Sequence, residues 1–510
     1  MKKPNKKAED NANNKGARTE PENLGTLTAS LEENAAAVSF LFKDVDITLS
    51  RRFENARDGR VKFCVYYSDG VTNSAMASEH IIEPLIVCEG LLPGLGLFEQ
   101  VKSRVVQAND VKASGELNAI ISAIAYGDTV LLVDGFSEAL IISTKNFALR
   151  GLSEPEGEKV LSGPREGFTE GIMQNLSLLR RRIRTHHLKL RFKAMGRQTG
   201  TTVCIAYMDN IVNPDILKEV ERRLSAVDMD GILDSNYLVE HIAENSVLGL
   251  NTAGSTERPD VVCSRLLEGR VAILVDGSPV ALTVPYLFIE NFQSNEDYYM
   301  SPIYASYGRL LRALCFVLTM TVPALFVAIS AYHHEIMHSS LMLNIAVGRR
   351  AVPLPAAVEC FALLIIFDIL RETGVRMPSY GGQALSIVGA LVIGQSAVEA
   401  KLAAAPMVII VAFTGIAILV VPRLYTASLT GRYLCLILSS TLGLLGILAG
   451  VTLFLIHLLN LKSFGVPHLT PINALSFQEV KDTFIRAPWP SMLTRIRPLT
   501  RNITRSRQKS

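Results

Sequence analysis

Four stretches of this chain carry no charged side chain over lengths that a soluble fold seldom needs. Ala313–Ala331 runs for 19 residues, Gly381–Val398 for 18, Leu402–Val421 for 20 and Tyr433–Ile456 for 24. At 1.5 Å per residue, about 20 helical residues cross a hydrocarbon core roughly 30 Å thick. Runs of this kind, gathered in one third of the sequence, predict an α-helical polytopic transmembrane domain over residues 306–460. A fifth apolar segment, Pro353–Leu370, is interrupted by Pro353 and Pro355 and carries Glu359 and Asp368. It reads as re-entrant, interfacial or a half-helix.

Ahead of this domain the sequence changes character. Residues 1–35 read as a disordered polar leader, basic but without the apolar core of a signal peptide. The soluble part behind it is therefore expected in the cytoplasm. Seven cysteines are scattered with no CxxC pair, which suits a reducing compartment and gives no metal or disulfide framework. A net charge of +3 lends no support to nucleic-acid binding. Residues 461–510 form a basic tail, with nine Lys and Arg against Glu479 and Asp482. Positive charge accumulates on the cytoplasmic side, so both ends are expected there, with an even number of crossings between them.

The soluble half repeats itself. GDTVLLVDGFSEAL from Gly127 matches GRVAILVDGSPVAL from Gly269, and KFCVYYSDGV from Lys62 matches TVCIAYMDNIV from Thr202. The offsets, 142 and 140, are nearly equal, as a duplicated subdomain requires. Each copy opens with a β-rich run, passes through a helical stretch and closes on two apolar runs joined by Asp-Gly, a hairpin turn pair. In the second copy Ile216, Leu217, Val220, Leu224 and Val227 recur at helical spacing behind Pro214-Asp215. The fold class is α/β, a domain of two similar lobes at 36–160 and 199–305. EGFTEGIMQNLSLLRRRIRTHHLKL, within 161–198, reads as a basic linking helix.

No catalytic constellation emerges. Ser-His-Asp and paired-carboxylate patterns are absent from the sequence, GLLPGLGLF lacks dinucleotide-loop spacing, and GRQTGTTV lacks the lysine of a phosphate loop. His334-Glu335 with His338, which has the HExxH spacing of a metal site, is read as interfacial and non-metal. The chain is read as a non-enzyme without metal or cofactor. Asp134-Gly135 and Asp276-Gly277 are read as turns. Arg180, Arg181, Arg182 and Arg184 form the sharpest charge run, read as either a solvated helix face or a contact with anionic lipid or an acidic partner. On Gly381–Ala400, the residues Leu385, Gly389, Val392, Ser396 and Glu399 fall on one helical stripe. Such a stripe suits either a pore lining or ordinary close helix packing. Asp368, Arg371, Glu372 and Arg376 are read as a polar hinge at a helix end, stopped by Thr373-Gly374.

Long passages carry a resemblance. GPREGFTE from Gly163, NLSLLRRRIR from Asn175, the run from Glu257 to Tyr299 and FDILRETGVRMPSYGGQALSIVGALVIGQSAV from Phe367 resemble the A subunit of spore germination receptors of the GerA type. The likeness covers about residues 35–480, with one departure at RQTGTTV, where the family more often has basic residues. It implies a multi-pass protein of the spore inner membrane. A permease-like B subunit that senses nutrient and a lipoprotein C subunit would work beside it. It also implies a ring of copies, pentameric by resemblance, that conducts ions. Against that stand two other readings, a non-conducting scaffold or signal adaptor and a secondary transporter.

Overall fold

The computed structural model describes residues 24–56, 61–89, 91, 96–147, 155, 157–160, 162–376, 392–472 and 481–505. Its first half holds two five-stranded antiparallel sheets with the same strand order. Strands β1 (Thr48–Glu54), β2 (Lys62–Ser68), β3 (Val111–Ser114), β4 (Thr129–Val133) and β5 (Ala139–Ile142) lie as β1-β2-β4-β5-β3. Strands β6 (Leu188–Met195), β7 (Thr201–Met208), β8 (Gly254–Thr256), β9 (Val271–Val275) and β10 (Ala281–Val284) lie as β6-β7-β9-β10-β8. Registers correspond as well. Cys64 faces Leu132 and Cys204 faces Leu274, while Ser114 faces Ala139 and Thr256 faces Ala281. Every residue of β4 and β9 is buried, because both faces of each sheet are covered. Their sequences therefore read as continuous apolar runs instead of alternating ones.

The Asp-Gly turns do more than reverse the chain. Gly135 and Gly277 take φ of 87° and 85°, the left-handed region that glycine enters without a Cβ clash. Each aspartate then reaches back to a helix start. Asp134 Oδ1 accepts from Leu31 N at 3.3 Å at the head of α1 (Leu31–Leu41). In the other sheet's unit, Asp276 Oδ1 accepts from Ile172 N at 3.1 Å. That is the head of its first helix, Ile172–Arg182. Behind each start, a threonine and an asparagine exchange two hydrogen bonds, Thr28 with Asn34 at 2.8 and 2.7 Å and Thr169 with Asn175 at 2.8 and 2.6 Å. The segment 161–198 therefore does not serve as one linking helix. Its helix occupies the position of α1, and β6 opens the second sheet inside it. Only a threonine and an asparagine mark the equivalence upstream of the strands, too thin a signal to align by pattern.

After α2 (Leu117–Ala125) and α3 (Ile172–Arg182), the second unit adds α4 (Pro214–Ala226), α5 (Ser235–Ile242) and α6 (Pro259–Leu267). Helix α4 starts as its sequence implies. Asn213 Oδ1 accepts from Asp215 N at 3.1 Å, Pro214 sits where no donor is needed, and Ile216, Val220 and Leu224 are buried. One apolar cluster draws Ala35, Cys64 and Ile120 from the first unit and Leu176, Cys204 and Leu266 from the second, so the sheets share a core. Backbone bonds tie them further, Asp46 N to Leu190 O at 2.9 Å and Leu190 N to Asp44 O at 3.1 Å.

The second half is a helical bundle. Its members are α7 (Pro302–Ala331), α8 (Ser339–Arg349), α9 (Ala356–Arg376), α10 (392–399), α11 (Ala405–Leu419), α12 (Tyr425–Leu442) and α13 (Leu444–Asn460). Only α7, among the described residues, is long and apolar enough alone to cross a membrane. A second span is counted if α11 and the helical stretch Pro422–Leu442, bent by 108° to each other, are taken together.

Uncharged length mapped onto this bundle unevenly. The 24-residue run Tyr433–Ile456 is not one span but a tight hairpin, turned at Gly443 with φ 62°. Its arms touch where Gly450 lies against Cys435, a place where a Cβ would meet the sulfur at 2.9 Å. The run Leu402–Val421 yields a helix of 15 residues. In segment Pro353–Leu370 the prolines precede the helix instead of interrupting it, and α9 is not stopped at Thr373-Gly374 but continues to Arg376. Proline is harmless ahead of a first turn, and one interior glycine costs only about 1 kcal/mol. Most of the run Gly381–Val398 lies outside the described residues.

Two outcomes follow for the sheets. Asp276→Ala should remove about 1 kcal/mol of stability by uncapping α3, read as a lower midpoint in thermal unfolding, with Asp134→Ala behaving alike. His186 offers a pH signature. Burial, with the nearby His187 and Lys189, holds its imidazole down to about 4. The folded state then keeps it neutral while the unfolded chain takes up a proton below its ordinary 6.5. Its contribution is complete above pH 6.5 and is lost as pH falls towards 4. His186→Gln should flatten the stability profile in that window.

Candidate functional site

The second sheet meets the bundle through buried charge. Behind the 3-10 turns Phe288–Phe292 and Asn295–Tyr298, Ser301 accepts from Tyr304 N and starts α7. This places Asp297 beside the helix's first three turns. Asp297 accepts from Arg309 Nε at 2.9 Å and from Arg312 at 2.7 and 3.1 Å. Arg309 has no exposed surface. Its Nη1 donates to Asp482 Oδ1 at 2.9 Å and to Thr483 O at 2.9 Å, both on the tail. Tyr298 Oη donates to the other Asp482 oxygen at 2.8 Å. Burial and the neighbouring Asp482 push the Tyr298 phenol well up, so it keeps the proton it donates. Burial also pushes Asp297 up, but Arg312 and Arg309 outweigh it and hold this carboxyl below its ordinary range.

Around this core lie further pairs. Glu290 meets Arg270 and Arg265, Arg258 pairs with Asp260 at 2.9 Å, and Arg423, in the turn between α11 and α12, reaches Glu158 at 2.7 Å. The tail wraps onward, with Arg495 Nε donating to Leu267 O at 2.6 Å and Arg505 pairing with Glu268 at 2.8 Å. A cavity of about 350 Å³ opens between α6, the 3-10 turns and the tail, lined by Glu290, Tyr298, Lys481, Asp482, Trp489 and Arg505 among others. Among the described residues, no group of three His, Cys, Asp or Glu is placed to hold a metal. The chemistry here is mechanical coupling: charges removed from water in matched pairs join three chain segments in one geometry.

The residues singled out from the sequence fall in three places. In the arginine run, Arg180 is fully buried and donates to Thr185 O and Leu188 O, at 2.8 and 2.9 Å. Arg181 and Arg182 pair with Glu166, and Arg184 stacks on the Tyr126 ring at 3.6 Å. The run is therefore not one face: Arg180 is enclosed, Arg181 and Arg182 are part-buried and Arg184 is exposed, and the counter-charge of Arg181 and Arg182 lies upstream, where no helical spacing points. The polar hinge does not pair within itself at Asp368. Asp368 bonds Arg432 on α12, Arg371 stacks on Tyr425 at 3.4 Å, and Glu372 pairs with Arg376 one turn on. Of the stripe, Leu385 and Gly389 lie outside the described residues, while Val392, Ser396 and Glu399 are all exposed on α10. Sequence reasoning missed Asp297, Arg309 and Asp482 altogether. The available signal was Arg309 and Arg312 sitting three apart at the mouth of an apolar helix.

Paired antiparallel sheets, clamped by buried charge to a helical bundle with a membrane-length apolar helix, define the class. The family model described as Bacillus/Clostridium GerA spore germination protein matches residues 36–498, and the chain belongs to this family. It is similar to spore germination protein KA of Bacillus subtilis (strain 168), 37% identical over 465 residues, 91% of this chain and 85% of that one. It is similar also to spore germination protein GerLA of Bacillus cereus, 34% identical, covering 83% and 86%. Among solved structures, the crystal structure of the N-terminal domain of the A subunit of the Bacillus megaterium spore germinant receptor GerK3 is 29% identical and covers 52% of this chain and 98% of that one, with a TM-score of 0.42.

Asp297→Asn should cost about 3 kcal/mol, because it strips Arg309 of one buried counter-charge and leaves the cation enclosed. The same linkage appears in wild type as a loss of stability below about pH 4, where the unfolded chain's aspartate takes up a proton that the depressed Asp297 carboxyl of the folded state still refuses. Thermal unfolding of the full chain across pH 2.5–6 in detergent reads both.

Proposed function

We propose that the protein is the membrane subunit of a nutrient germinant receptor, and that copies form a ring whose central path releases monovalent cations early in germination. Membership of the spore germination family supports the role in germination. One observation carries the pore reading: Val392, half exposed, shares an open stripe of α10 with Ser396 and Glu399, which the described residues of one copy leave exposed. A ring would bring these stripes together, and Leu385 and Gly389 would continue the path. Val392 then forms a hydrophobic constriction that closes by dewetting.

Several features fit a multi-pass arrangement with an even number of crossings. The base of α7, the start of α12 and the end of α13 all pack against the second sheet's outer cluster, through Phe316, Ala427 and Phe454. At the opposite end of the bundle, Tyr332 donates to Ser440 O. The sheets and the tail thus belong on one face, which we assign to the cytoplasm, with the bundle in the spore inner membrane. The two sheet units descend, in this reading, from a duplication. A permease-like B subunit and a lipoprotein C subunit are the proposed partners, with nutrient binding on the B subunit shifting a closed–open equilibrium. The protein acts without catalysis of its own. A non-conducting adaptor is the second reading, favoured by the charge-locked seam between sheets and bundle, which suits transmission of movement.

The deciding measurement is single-channel conductance of purified protein in a planar bilayer, beside Val392→Ala. Discrete currents, enlarged or more frequent in the variant, are expected, together with germination of Val392→Ala spores without nutrient. Silence from both folded, oligomeric preparations would favour the adaptor.

A further inference from the structure

Inside the bundle the ion pair between Asp368 and Arg432 is left half made. Arg432 on α12 is fully buried and donates through Nη2 to Asp368 Oδ2 on α9 at 2.7 Å. Tyr433 Oη donates to the same oxygen at 2.8 Å. Asp368 Oδ1 and Arg432 Nε and Nη1 have no hydrogen-bond partner among the described residues. The surroundings offer little compensation: Cys360, Leu364 and Leu436 are fully buried beside it, and Phe361 stacks on the Tyr433 ring at 5.7 Å. A guanidinium has five donors and a carboxylate accepts at two oxygens, so a pair built only for stability closes in two parallel bonds. Leaving three buried polar atoms bare is costly, and apolar side chains of similar volume would serve cohesion as well or better.

The placement of α9 accounts for the bare atoms. Phe367 is seated against Gly415 of α11, where any side chain would collide with its ring. Arg371 lies on Tyr425 a turn further along. Helix α9 is thus wedged on α11 and meets α12 through the Asp368–Arg432 pair, two aromatic contacts and the apolar contact of Leu364 with Leu436. It is also the helix from which the chain leaves for the stripe at 392–399. We infer that Asp368 and Arg432 are positioning residues for the gate: their single bond holds α9 in the closed arrangement. A rotation or slide of α9 exchanges that bond for a fuller pairing. This inference rests on the channel reading above, and assigns its latch to a pair remote from the constriction.

The test compares Asp368→Asn, Arg432→Gln and the reversed pair Asp368→Arg with Arg432→Asp, all in the full chain. Two quantities are read: hydrogen exchange of the α9 amides in nanodiscs, and the nutrient concentration for half-maximal ion release from spores with matched receptor levels. The latch predicts at least tenfold faster exchange and at least a tenfold lower nutrient threshold in each single variant, with both returned towards wild type in the reversed pair. Unchanged exchange and threshold overturn it. Faster exchange at an unchanged threshold also overturns it, since the pair would then hold the helix without gating. A lowered threshold with unchanged exchange overturns the positioning role. Should single variants fail to accumulate, the reversed pair decides: if it accumulates with wild-type exchange and threshold, the latch stands, and if it too is absent the pair serves folding only. Absence of current from every form in bilayers would remove the channel reading while leaving the exchange result to stand by itself.

Discussion

Arg309 is the constraint around which the molecule is arranged. A guanidinium with no exposed surface at the base of a 30-residue apolar helix is tolerable only if its charge is answered on the spot. Asp297 answers from the turn that ends the second sheet's unit, and Asp482 answers from the tail. A turn, the helix that follows it and the distant tail are thereby fixed in one orientation. Arg423 with Glu158 and the Ser246–His457 hydrogen bond at 3.0 Å tie the same two halves at other points. The contacts between the sheets and α7 are thus directional as well as apolar.

What pattern reading recovers depends on how local the cause is. Strand pairs in the two units were legible because TVLLVDG and VAILVDG carry register, turn and burial in a single heptapeptide. The aspartates in those turns were legible as turn residues only. Their second role needs Leu31 and Ile172, over a hundred residues earlier in the chain, to fold back on them. Charge behaved likewise. RRRIR reads as an exposed face by spacing, yet Arg180 is enclosed and its neighbours answer to Glu166, and no periodicity announces a long-range partner. In the bundle, an uncharged run of 24 residues satisfies a length rule whether it spans once or folds at a glycine. Gly443 decided it through a backbone angle that composition does not display.

The two sheet units also show how one design is put to different uses. In the first, the sheet's outer face is closed by its own short helices, with Ile81, Leu85 and Val101 packed on Phe63 and Leu131. In the second, α4 and α5 cover part of the equivalent face, and Phe316, Ala427 and Phe454 of the bundle complete it. Identical strand order thus supports one sheet whose outer face is closed by its own helices and another whose outer face docks on the bundle, the difference lying in what the connection between the second and fourth strands contributes.

The tail's place in the junction bears on how the protein is made. Asp482 closes the clamp on Arg309 from 173 positions further along the chain. A ribosome has therefore released every bundle helix before that clamp can shut. A chain cut short before Asp482 leaves Arg309 facing Asp297 alone. The junction is in this sense a proofreading contact, completed only once the segment beyond the last bundle helix has folded back onto α7.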